Sequence, residues 1–208
     1  MTTAATPTTA GADVGPRTAS IATLLTHVLA PAHLAIGLGF IIAWHASDGA
    51  LAGLGWGALA VLFTGAIPYA FVLIGARRGA WSDHHVPELK DRPLVLLVGA
   101  LSVLLGLGTL AALGAPQELV ALVVAELAGI AVALAVSLVW KISIHASVIY
   151  GTVTVLVLVF GPWLLLSLVP ALAVSWARIV LRAHTLAQVV TGGIVGTLIA
   201  GIVFSALR

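Results

Sequence analysis

Most of the residues in this chain whose side chains could do chemistry fall into three short stretches. The first holds Asp83, His84, His85, Glu88, Lys90, Asp91 and Arg92, and ends at Pro93. The second is Lys141, Ser143 and His145; the third is Arg178, Arg182, His184 and Gln188. Guanidinium and ammonium groups that converge make a site for a multiply charged anion. Arg suits phosphate in particular, because its planar fork gives paired, charge-assisted hydrogen bonds. Hydroxyl and amide donors at a helix start after Ser143 would add to such a site. Two imidazoles can divide the work of nucleophile and proton donor, since His changes charge near neutral pH. Gln188 follows His184 by one helical turn, so its amide can hold that imidazole in one tautomer.

The elements that must position these residues are apolar. The chain has 208 residues, 61% hydrophobic and 8% charged, far too few charges to cover a soluble domain. Seven apolar segments are read, at about residues 21–44, 51–74, 94–113, 117–140, 144–160, 163–180 and 186–207. Most approach the length a helix needs to cross the hydrocarbon layer, about 20 residues. The expected fold is an all-α polytopic transmembrane bundle of six to seven helices, one domain over residues 21–208. Residues 1–20, rich in Thr, Ala, Gly and Pro, read as a disordered tail. If every segment spans, the polar connections at 76–92, 141–143 and 181–185 lie on one side, with Arg17, Arg77 and Arg78. Arg208 alone is on the other, so the positive-inside rule makes the basic face cytoplasmic.

Composition also excludes. The chain has no Cys, hence no disulfide and no thiolate metal site. No basic stripe with interleaved aromatics points to nucleic acid. Asp83, His84 and His85 lack the further carboxylates a metal would want, and no metal or other cofactor is expected. Glu126 falls in mid-membrane, where an ionised carboxylate is costly; it is expected to be protonated or paired, with His27 or His33 as partner. For His27 and His33 themselves a structural role is favoured. Taken singly, a cation at a helix end more often snorkels to lipid headgroups; it is the convergence of three clusters that argues for a site.

The motifs resemble those of the type 2 phosphatidic acid phosphatase superfamily. Arg178, followed after five residues by His184 and then by Gln188, is similar to its third motif. Ser143-Ile144-His145 is similar to the core of its second, and Arg92-Pro93 to the end of its first. The resemblance runs from about residue 83 to 196. Departures are His85 where the first motif has Lys, with Lys90 nearby, Ile144 for Gly, Ala177 for Ser and Gln188 for Asp. His184-Thr185 followed by Gln188 is similar to polyprenyl diphosphatases of the dolichyl type. Two apolar segments between the first and second motifs are additional to the usual six-helix pattern.

The resemblance implies an integral membrane phosphatase acting on lipid phosphates, here a prenyl or polyprenyl (di)phosphate. It implies His184 as the nucleophile that becomes a phosphohistidine and His145 as the proton donor. Arg92, Arg178 and Ser143 would hold the phosphate, with Lys90, His85, Lys141 and Arg182 as further ligands. Its partners would be that lipid and the surrounding membrane lipids, in a bacterial inner membrane; a homo-oligomer is left open. The alternatives are a catalytically weak relative that binds or transports a phosphorylated lipid, and a prenyl-transferring or terpene-forming enzyme. The last is disfavoured by only seven acidic residues and no Asp-rich pair to hold magnesium.

Overall fold

The computed structural model describes residues 15–81 and 91–208. His85 and Lys90, with Asp83, His84 and Glu88, lie outside the described residues, as does most of the N-terminal tail. The described chain forms eight helices: α1 Pro16–Val28, α2 Pro31–His45, α3 Ala50–Arg77, α4 Arg92–Ala112, α5 Gln117–Ser137, α6 Ile144–Phe160, α7 Pro162–Val180 and α8 Leu186–Leu207. Five of them (α3, α4, α5, α7 and α8) are long and apolar enough to cross a membrane, and α1 with α2 makes a sixth span if the bent pair is counted as one. The architecture is a polytopic helical bundle. Its surface carries large apolar side chains such as Leu51, Leu105, Leu166 and Val169, each more than 60% exposed. A water-facing protein does not display so much apolar surface, whereas a bilayer solvates it.

Three details depart from the segments read in the sequence. The first segment is two helices bent by 42°. Pro31 has no N–H and drives Ala30 to an extended conformation at ψ 147, so the helix cannot run on. The carbonyl that Pro31 leaves without its helical donor is that of His27; it accepts from the Ala30 N–H at 3.3 Å and from the His33 Nδ1–H at 2.9 Å. Helix α1 also begins at Pro16, with Pro at its first position, so residues 16–20 are helical rather than part of the expected tail. Finally, α5 ends at Ser137, short of the segment read to residue 140.

The short helix α6 is the inner post of the bundle, packed against α2, α7 and α8. Its N-terminus is capped by Ser143, whose Oγ accepts from the Ala146 N–H. At its far end Gly161, at φ 100, takes a conformation that side chains disfavour and turns the chain into α7. Against α8 it packs through glycines: a Cβ on Gly192 would come within 2.5 Å of the Ser143 carbonyl oxygen, and one on Gly196 would collide with the Ser147 carbonyl. Small residues that let helix backbones approach are the usual means of helix association in lipid. Gly196→Val should therefore separate α6 from α8, at a cost of about 3 kcal/mol or more. Thermal unfolding in detergent should show a large fall in midpoint, while Gly108→Ala, where no atom lies within 4 Å, should leave it unchanged.

Candidate functional site

Hydrogen bonds to backbone carbonyls join Arg92 and the second and third clusters at one end of the bundle. Arg92, the first residue of α4 and buried, donates from Nη1 to the Ile142 carbonyl at 3.0 Å. The Ser143 N–H donates to the Gln188 carbonyl at 3.2 Å, and the His184 N–H to that of Arg178, also at 3.2 Å. The side chains of Arg92, His145, Arg178 and His184 then share one cavity of about 380 Å³. Among the described residues it continues past Glu126 to apolar side chains deep in the bundle.

The turn between α7 and α8 sets His184 in place. Arg182 adopts φ 52; its N–H donates to the Ile179 carbonyl at 2.9 Å, and the Ala183 N–H to that of Arg178 at 3.1 Å. These are the paired bonds of a helix end closed by a left-handed residue. Thr185 then caps α8 in a reciprocal box with Gln188. The Gln188 Oε1 accepts from the Thr185 N–H at 3.1 Å and is 3.1 Å from the His184 Nδ1. Because a backbone N–H can only donate, that atom is the amide oxygen, and Nδ1 must carry the proton. The lone pair of His184 is therefore on Nε2.

The electrostatics agree with a neutral ring. Burial holds the His184 pKa down, and the positive charges of Arg178, Arg92 and Lys141 add to it, against an opposing pull from the Gln188 hydrogen bond; the result is about 3 in place of 6.5. Lys141 is also held below the ordinary ammonium range, by burial and then by Arg92 and Arg178. These like charges repel, and a bound anion relieves the repulsion.

Not every expected ligand reaches the cavity. Ser143 is wholly buried, with its hydroxyl engaged at the α6 cap. The Arg182 side chain is exposed and does not line the cavity; its contribution is the left-handed backbone that swings His184 over Arg178. Lys141 borders the site through its charge rather than lining the cavity. Glu126, His27 and His33 do share the cavity, yet among the described residues no hydrogen bond or ion pair joins Glu126 to either histidine. The sequence reading did not include Tyr69 and Thr64, which also line the cavity. Thr64 lies in a π-helical turn of α3, Leu62–Ala66, whose loosened Phe63 carbonyl accepts from the Ser102 Oγ at 2.7 Å. Among the described residues no group of three or more His, Asp or Glu side chains could hold a metal. No family model matches the chain, and no match is found among curated proteins or solved structures.

Two outcomes are expected. Since the folded His184 pKa lies below its unfolded value, the unfolded chain takes up the proton first, and stability falls as pH drops from about 6.5 toward about 3. Thermal unfolding across that window should show a shallower pH slope in His184→Asn than in the parent. Arg182→Gly, which suits φ 52, should raise stability by about 1 kcal/mol and keep the His184–Gln188 pairing in histidine ¹⁵N spectra.

Proposed function

We propose that the chain is an integral membrane lipid-phosphate phosphohydrolase that removes phosphate from a prenyl or polyprenyl (di)phosphate through a phosphohistidine. The observation that carries the proposal is His184, neutral, with Nδ1–H held by Gln188, in one cavity with Arg92, Arg178 and His145. Such an arrangement leaves Nε2 free to attack phosphorus. The Nε2–P bond forms as the bond from phosphorus to the lipid-side oxygen breaks, and His145 supplies the proton to that oxygen. Water then attacks the phosphohistidine, His145 takes its proton, and inorganic phosphate leaves with His184 restored. Arg92 and Arg178 stabilise the charge that spreads over the phosphoryl oxygens. The motif resemblance supports the same roles, and the positive-inside rule supports a cytoplasmic site.

A second reading, a catalytically weak relative that binds or carries a phosphorylated lipid, is favoured by Ser143. Its Oγ is buried, accepting at the α6 cap, and Ser143 does not line the cavity, so the hydroxyl is not presented to a phosphate there.

Detergent-purified protein should release phosphate from farnesyl diphosphate, with chelator present, faster than from phosphatidic acid. His184→Ala should lower that rate by more than about a thousandfold, and His145→Ala by about a hundredfold or more. Unchanged release by folded His184→Ala would remove the assigned nucleophile. Substrate binding without release by the parent would favour the second reading.

A further inference from the structure

We infer that the cavity is a closed-ended tunnel measuring a single hydrocarbon chain of about a dozen carbons, with Val103 and Leu122 setting its length. The inference rests on the preceding reading for the phosphate end and adds the class of lipid.

The depth follows from the lining. From Arg92 to Val103 on α4, from Ile144 to Val155 on α6, and from Ala133 back to Leu122 on α5, the cavity-lining residues span the same number of positions, a rise of about 16 Å. With C–C bonds of about 1.52 Å at about 111°, an extended chain advances about 1.25 Å per bond, so this depth takes about thirteen bonds. The phosphate ester uses the first few, leaving about a dozen carbons. Three isoprene units, or one dodecyl chain, fill it.

The far end is shut. Leu38, Val103, Leu122, Val155 and Ala200 line the cavity and belong to one buried apolar cluster. The same cluster includes Ile42, Leu110, Leu119 and Phe204, each 0% exposed, farther along their helices from the basic end. A chain longer than the tunnel must displace close-packed side chains. Gly129 lies on the wall with no atom within 4 Å of where its Cβ would be, so width there depends on that missing side chain. Glu126 is on the same wall, about 10 Å below Ala133, where a hydrocarbon chain gains nothing from a carboxyl.

The test uses octyl-, dodecyl- and hexadecylphosphonate, which cannot be hydrolysed, binding to the full chain in detergent and scored against their concentration in the micelle. A micelle interior is as apolar as the tunnel, so methylenes that fit change affinity little and those that do not fit lower it. Dodecylphosphonate should bind at least about tenfold more tightly than hexadecylphosphonate. Val103→Ala with Leu122→Ala should restore hexadecyl binding. Gly129→Leu, which adds bulk into open space, should move the preference to octyl, and Glu126→Leu should tighten dodecyl binding. Equal dodecyl and hexadecyl affinity in the parent would overturn the tunnel, as would a preference unmoved by Gly129→Leu. Weaker dodecyl binding in Glu126→Leu would overturn the purely hydrocarbon ligand. Because phosphonate binding is read without turnover, length-limited binding with no phosphate release removes the hydrolase and keeps the tunnel. Release with no length limit does the reverse.

Discussion

The close approach of α6 to α8 is the constraint on which the basic end depends. Gly192 and Gly196 carry no Cβ, and the carbonyls of Ser143 and Ser147 occupy the space where one would be. At that separation the Ser143 N–H reaches the Gln188 carbonyl, and the starts of two helices become one structural unit. Arg92 joins it through the Ile142 carbonyl. In lipid, where association gains little from burying apolar surface, such packing and hydrogen bonding supply most of the drive. One of the site's cations, Arg92, is therefore anchored to backbone beside the turn that leads to His145.

A cost accompanies this assembly. Arg92, Lys141 and Arg178 are brought together in a partly buried place, where like charges are poorly screened. His184 shows which effect prevails: the Gln188 hydrogen bond favours the protonated ring, but burial and three cations outweigh it. In the proposed reaction a neutral imidazole held in one tautomer is the form the nucleophile requires, and the cations that keep it neutral are those an incoming phosphate would neutralise. The same few groups thus set the ring's charge and create the demand for an anion.

The break between α1 and α2 shows how the bundle tolerates irregular backbone. Pro31 removes a helical hydrogen bond, and the His33 side chain returns one to the same carbonyl. Within a membrane a weakly satisfied carbonyl is expensive, and the His33 bond adds to that from the Ala30 N–H, which gives the structural role favoured for His33 a concrete form. The bend also brings Ala30 and Pro31 to the cavity wall opposite the main bundle, so the irregularity helps to shape the space in which a lipid chain would lie.

What the sequence alone determined follows from local chemistry and period. Apolar runs separated by Gly, Pro and charged links placed the helices to within about five residues, apart from the bend that divides the first, and their alternation put Arg92 and the second and third clusters at one end. The spacing of His184 and Gln188 pointed to their pairing as one helical turn; the pair forms, but through the Thr185 capping box, with His184 just outside the helix. The Ala30-Pro31 break was also legible in principle, since Pro constrains its predecessor, but a continuous apolar run hid it. Other features required the tertiary structure. Whether Ser143 faces phosphate or caps its own helix depends on how far α8 presses in, and Arg182 reads as a ligand until its left-handed backbone is seen. The cavity's depth and its closed floor arise from side chains on five helices far apart in the sequence. Periodicity fixes which face of a helix is apolar; only packing decides what that face meets.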